Sequence, residues 1–302
     1  MRILVLGGGD SPEREVSLRS AKAIAEAARA ANFEVLEADP KDNLSILDNL
    51  PDDTIIFPIL HGAGGEDGQI QREFEQRHLK YLGSDSQSSA ECFDKWLTRQ
   101  RLESAGIPMP AGVLVSKNTY KSQPLAKKPH VLKVLRGGSS IGTLLAQNPN
   151  KVTDFEVESL FTLDTNAELE EFIEGTEVTV PILDETALPV IEIVPPIGEE
   201  FDYENKYNGR TQEICPPQTV SQDLQTKCQA LAETVHKTMN CRHLSRVDIM
   251  INKHGKLLVL EVNTMPGLTD QSLYPKSAAA NRITMSELVK RFVDMVQRDY
   301  SN

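Results

Sequence analysis

Two short apolar runs each end in glycine, and no other feature restricts the fold of this chain as much. Ile3 to Leu6 is followed by Gly7-Gly8-Gly9-Asp10-Ser11-Pro12, and Thr54 to Leu60 by His61-Gly62-Ala63-Gly64-Gly65-Glu66-Asp67-Gly68. Apolar runs of this length bounded by turn residues read as buried strands. Between them, residues from about Glu13 to Ala31 are rich in alanine and lack internal Gly or Pro, which predicts a helix, and Phe33 to Glu37 resumes strand character. A strand–turn–helix–strand unit seeds a parallel sheet, and open sheets of this kind bind ligands at the carboxyl ends of their strands. Both glycine turns lie at such ends. The first is not a dinucleotide fingerprint: Gly7 and Gly9 fit, but Pro12 stands where the helix-packing glycine belongs. The sequence also lacks the G-x-x-x-x-G-K-[ST] phosphate loop, so a bound nucleotide needs another device.

The 302 residues exceed one ordinary core and suit two or three domains. A helix predicted over about 93–105 stops at Gly106, with Pro108 and Pro110 beyond, which reads as a linker into a second domain. His130 to Leu135 reads as a strand running into Arg136-Gly137-Gly138-Ser139-Ser140-Ile141-Gly142, and Glu177 to Leu183 as a half-buried strand. Residues 195–217, proline-bearing and polar, read as a long functional loop. Residues 286–300 form an amphipathic helix with Leu288, Val289, Phe292, Val293 and Val296 inward. A net charge of −12 weighs against nucleic-acid binding but leaves room for a local basic cluster around an anionic substrate. Cys92, Cys215, Cys228 and Cys241 show neither C-x-x-C nor zinc spacing and read as reduced cytoplasmic thiols. Neither a leader peptide nor a membrane span is expected, because no apolar run is long enough.

The strongest chemical signal lies at 245–263. Ser245–Asn252 and Leu257–Asn263 predict a hairpin with a two-residue turn at His254-Gly255. That register sets Asp248 opposite Glu261 and Arg246 opposite Asn263. Val247, Ile249 and Ile251, with Leu258, Leu260 and Val262, then face the other way. Opposed carboxylates repel, and a cation between them removes the penalty. Oxygen ligands alone, from Asp248, Glu261 and Asn263, suit Mg²⁺; the ordinary alternative is a solvated charged face. Beyond Asn263, Thr264-Met265-Pro266-Gly267 could bring free amides to an anion, or could be a simple turn. Gly137 to Ser140, after Lys133 and Arg136, suits a flap over phosphates, although Gly-Ser loops are also common linkers. Lys95 and Lys133 alone read as surface charges, and His61 as a plausible ligand contact, although a structural histidine is the commoner case.

Taken together and in order, these segments resemble the D-alanine–D-alanine ligases of the ATP-grasp group. The resemblance is carried by residues 8–17, 61–68, Phe93-Asp94-Lys95, 138–142, Asp202-Tyr203-Glu204-Asn205-Lys206-Tyr207, Cys215-Pro216, Arg246-Val247-Asp248, 261–267 and Ser272-Leu273. It implies an α/β three-domain ATP-grasp fold: a Rossmann-like domain at 1–86, a central subdomain at 87–176, and a C-terminal subdomain with the metal-binding hairpin at 177–302. It further implies that Lys95 and Lys133 contact the α- and β-phosphates of ATP, Glu170 the adenine amine and Glu177 the ribose. Asp248, Glu261 and Asn263 would hold two Mg²⁺ ions, for which Mn²⁺ could substitute. Glu13 would bind the first D-alanine amine, with His61 nearby. Ser139 and Tyr207 would join that residue to the flaps, and Lys206 would reach the transferred phosphoryl group. Arg246 and the Gly267 amide would hold the oxyanion, and Ser272 and Leu273 the second carboxylate. The product would be D-alanyl-D-alanine for peptidoglycan precursors, made by a cytoplasmic homodimer. The alternative is a relative on the same fold joining a different acid or amine. The sequence departs from the family pattern at Val134, Gly137 and Gln271, which bears on flap rigidity and second-site affinity.

Overall fold

A computed structural model describes residues 1–42, 44–138, 141–196 and 210–300. The first sheet is parallel, in the order β2-β1-β3-β4, from β1 (Arg2–Leu6), β2 (Glu34–Ala38), β3 (Thr54–Pro58) and β4 (Lys80–Tyr81). Leu4, Leu6, Ile3 and Val5 are all buried, because helices cover both faces. The predicted first helix spans Arg14–Ala30.

The second sheet is antiparallel, in the order β5-β8-β6-β7: β5 (Gly112–Ser116), β6 (His130–Val134), β7 (Thr143–Ala146) and β8 (Asn166–Glu171). One face packs Leu132, Val134, Ala167 and Leu169 into an apolar core. Alternation puts Lys133 directly opposite Glu168 on the other face, with Glu170 two residues along. The third sheet has the order β12-β11-β9-β13-β14 with β10 beside β9. Its strands are β9 (Gly175–Leu183), β10 (Thr186–Ala187), β11 (Ile191–Val194), β12 (Gln212–Ile214), β13 (Leu244–Asn252) and β14 (Leu257–Asn263).

The helix predicted over about 93–105 is present as Lys95–Ser104, with a separate helix, Ser86–Phe93, ending just before it. They break at Asp94, whose side chain accepts from the Trp96 and Leu97 amides, satisfying donors at the second helix's start. The stretch 195–217 is not all loop, since β12 pairs with β11 there. The hairpin turn is also longer than two residues: Asn252 accepts from the Gly255 amide and donates to Lys256. Pairing near the turn therefore runs Ile251↔Leu257 and Ile249↔Val259, and a bulge before Asp248 restores the predicted Asp248↔Glu261 and Arg246↔Asn263 pairs. The extra residue in the turn and the bulge cancel at the site. Between them the faces are exchanged, so Leu257 and Val259 join Ile249 and Ile251 in the core, and Leu260 lines a cleft.

The first sheet does not close its core alone. Phe57 of β3 meets Phe292 edge to face at 6.1 Å, and Phe292 also packs on Tyr274. Tyr274 and Phe292 come from helices Leu273–Ala280 and Met285–Asp299.

Candidate active site

The hairpin face is built as predicted. Arg246 donates through Nε and Nη2 to the two oxygens of Asp248, at 2.9 and 2.8 Å. Thr179, opposite on β9, donates to the same carboxylate at 2.5 Å. The amide nitrogen of Asn263 stands 3.4 Å from both Asp248 and Glu261. Burial opposes the Arg246 charge, but Asp248, Glu261 and Glu66 outweigh it and hold its pKa above the ordinary value.

Glu66 is the residue that sequence reasoning passed over. It lies in the glycine turn 61–68, at the cleft wall beside Glu261 and Asn263. The Gly62 amide donates to it at 2.6 Å. Its pKa is pushed up to about 8, first by burial and then by Glu13 and Glu261, against the opposing pull of the Gly62 amide and Arg246. Glu66, Glu13 and Glu261 thus crowd together with one arginine among them. The place of Glu66 inside a glycine-rich turn at a strand end was the available signal.

Glu13 is buried at the N-terminus of helix Arg14–Ala30. A Cβ on Gly138 would fall 2.6 Å from its carboxylate, and one on Gly62 would fall 3.0 Å away. A side chain at 138 would therefore push the Glu13 carboxylate out of its present place. His61 is buried, with Nε2 3.4 Å from Ser20 Oγ, and burial lowers its pKa to about 4, so it is neutral. The Leu268 amide, beyond the Gly267 turn, points at the same Ser20 hydroxyl at 3.4 Å. Gly267 faces Ser272, whose Oγ is 2.7 Å from that of Thr269. Ser272 precedes helix Leu273–Ala280, and Leu273 packs on Ile191 and Ile193.

The two lysines lie on the cleft's other side. Lys95 donates to the Gly137 carbonyl at 2.7 Å, tying its helix to the flap. Lys133 is ion-paired with Glu170, whose other oxygen takes Nη2 of Arg99 at 3.1 Å. Glu170, assigned by resemblance to adenine, thus has both oxygens engaged by cations. Glu177 sits on β9, half-buried, opposite Met250 and Ile193. Ser139, Lys206 and Tyr207, together with the 202–207 motif, lie outside the described residues.

Asp248 and Glu261 supply carboxylates and Asn263 an amide oxygen on one face. Among the described residues no three His, Cys, Asp or Glu side chains gather as a metal cluster. The donor set nevertheless fits a hard cation, because two carboxylates face each other there and Asn263 completes the set by rotating its amide.

Comparison with known proteins agrees with this geometry. A family profile described as D-ala D-ala ligase C-terminus matches residues 102–294. The D-alanine–D-alanine ligase of Actinobacillus succinogenes is 36% identical over 302 residues, covering 97% of each chain. That of Halalkalibacterium halodurans is 36% identical over 304 residues, covering 98% of this chain and 99% of its own. Among solved structures, the Bacillus anthracis D-alanine–D-alanine ligase complexed with ATP superposes with a TM-score of 0.85 at 28% identity, covering 100% of this chain and 99% of that one. With its hairpin, glycine turns and fold all in agreement, this chain belongs to the D-alanine–D-alanine ligase family.

Proposed function

We propose that the chain joins two D-alanines at the expense of ATP through an acylphosphate. The observation that carries the reading is the bulge-corrected hairpin, which sets Arg246, Asp248, Glu261 and Asn263 on one face beside the 61–68 turn. Lys95 and Lys133 would meet the phosphates of ATP, and Glu13 the ammonium of the first D-alanine. Its carboxylate oxygen attacks the γ-phosphorus of ATP, a C–O–P linkage forms, and ADP leaves. The neutral amine of the second D-alanine then attacks the acyl carbon. The oxyanion of the tetrahedral intermediate is held by Arg246 and the Gly267 amide, and inorganic phosphate departs. Asp248, Glu261 and Asn263 would hold Mg²⁺, which supplies charge neutralisation at the transferring phosphoryl group when bound. Closure of the loops at 137–142 and about 199–217 would keep water from the acylphosphate. Lys206 would reach the phosphoryl group, Ser139 and Tyr207 would link the flaps, and Ser272 and Leu273 would receive the second carboxylate.

The three-domain division at 1–86, 87–176 and 177–302, a cytoplasmic setting and a homodimer belong to the same reading. No described helix is long and apolar enough to cross a membrane. The test is ADP release coupled to product analysis, with D-alanine, L-alanine and D-lactate compared as acceptors. D-Alanine is expected to give the dipeptide, and little ester should form from D-lactate near pH 7. ADP release without dipeptide, or preference for another amine, would shift the reading to a ligase of a different acceptor.

A further inference from the structure

Arg99 is the largest fully buried side chain of the described residues, and nothing in the reaction above uses it. It rises from helix Lys95–Ser104 onto the polar face of the central sheet. Its Nε donates to Glu168, its Nη2 to Glu170 at 3.1 Å, and its Nη1 to Glu103 at 2.9 Å and the Pro110 carbonyl at 2.7 Å. The room for it comes from Gly112 on β5, opposite Glu170: a Cβ there would lie 2.7 Å from the guanidinium carbon. The forked, planar donor set meets four acceptors, which a lysine ammonium could not do from one position.

The other oxygen of Glu170 holds Lys133. Arg99, Glu168 and Glu170, all buried, and the partly buried Lys133 therefore form a quartet of two positive and two negative charges. Without Arg99, two adjacent carboxylates would share one lysine, and any anion competing for that lysine would leave buried charge uncompensated, a costly state.

We propose that Arg99 is a positioning residue for the nucleotide end of the site: it keeps Glu168 and Glu170 neutralised so that Lys133 can turn from Glu170 to the phosphates of ATP. The inference rests on the assignment of Lys133 to those phosphates. Burial works against the charge of Lys133, while Glu170 and Glu168 more than offset it and raise its pKa, so the lysine arrives charged. Glu168 responds oppositely, its pKa raised by burial and then by Glu170, with Arg99 and Lys133 resisting. Arg99 is thus what makes two neighbouring acids tolerable on this face.

The experiment compares Arg99→Met, Arg99→Lys, Glu168→Gln and Lys133→Met in full-length protein by steady-state kinetics and by titration calorimetry with a non-hydrolysable ATP analogue. Arg99→Met should raise KM for ATP and the analogue Kd by about ten-fold or more, with KM for D-alanine within about two-fold, and Arg99→Lys should recover part of the loss. Glu168→Gln removes one acid and should leave nucleotide affinity unchanged or tighter, a sign that general loosening of the fold would not give. If Arg99→Met does not fold, Glu168→Gln and Arg99→Lys still decide. Equal rises in KM for ATP and D-alanine in Arg99→Lys, or weaker nucleotide binding in Glu168→Gln, would overturn the inference. If Lys133→Met leaves ATP affinity intact, the phosphate assignment itself fails; if it weakens ATP while the Arg99 variants do not, only the role of Arg99 fails.

Discussion

Single residues in this cleft are held against their own electrostatic preference. Asp248 and Glu261 face each other across the hairpin, with Glu66 and Glu13 close by and one arginine among them. Glu261→Gln should lower turnover at saturating ATP by at least ~100-fold, because the charge that a metal brings to the phosphoryl group would lose a ligand. The same substitution should raise the melting temperature of the ligand-free protein, since it removes one of the crowded acids. Turnover near wild type would remove Glu261 from the metal site. Gly138 makes a steric prediction. An added methyl would sit 2.6 Å from the Glu13 carboxylate, so Gly138→Ala should raise KM for D-alanine by about ten-fold, the worth of a displaced charged hydrogen bond, with little change in thermal stability. Kinetics and a melting curve on one preparation separate the two effects.

At the scale of elements, the short break between helices Ser86–Phe93 and Lys95–Ser104 carries weight out of proportion to its length. Asp94 caps the second helix and pairs with Arg136 at 3.0 Å, next to the flap that Lys95 grips. Asp94→Ala should cost about 1 kcal/mol of stability through the lost cap, read by urea denaturation, and should weaken ATP binding because Lys95 is the first residue of that helix. Loss of stability with unchanged ATP affinity would limit Asp94 to capping. The break was not legible in the sequence, because Phe93 to Ala105 contains no Gly or Pro and the cap is a single aspartate. The hairpin site was legible because period-two alternation and a turn fix a register. The bulge at Leu260 was not, since it compensates a longer turn and leaves the pairs at the site unchanged. Arg99 stayed hidden for a related reason: what distinguishes it is the enclosure made by Gly112, which only tertiary packing reveals, whereas Glu66 could have been singled out from its place in the 61–68 glycine turn.

For the molecule as a whole, buried histidines set the response to acid. His243 accepts from the Gly83 amide on Nδ1 at 2.9 Å and meets Asp299 through Nε2 at 3.0 Å, joining three distant segments. Burial, then Arg242, lowers its pKa to about 4, and burial does the same for His236. Both stay neutral in the folded state where the unfolded chain, with histidines near their usual value, binds protons. Stability is therefore full above about pH 6.5 and falls as the pH drops towards 4, by roughly 1–2 kcal/mol per histidine between pH 6.5 and 5. His243→Gln keeps an acceptor for Gly83 and a donor for Asp299 but cannot titrate. Its urea midpoint should fall less than that of wild type between pH 7 and pH 5; parallel falls would exclude His243 as a source of the acid sensitivity.

The stack of Phe57, Phe292 and Tyr274 has a consequence for how the chain comes off the ribosome. Strand β3 is translated long before helix Met285–Asp299, yet the face it presents is closed by that helix together with helix Arg14–Ala30. A nascent chain holding the whole parallel sheet still shows part of the Phe57 side to solvent until helix Met285–Asp299 has been made. The first sheet thus waits for helix Met285–Asp299 to complete its core, and through that interval the growing polypeptide displays a greasy face of the kind chaperones grip.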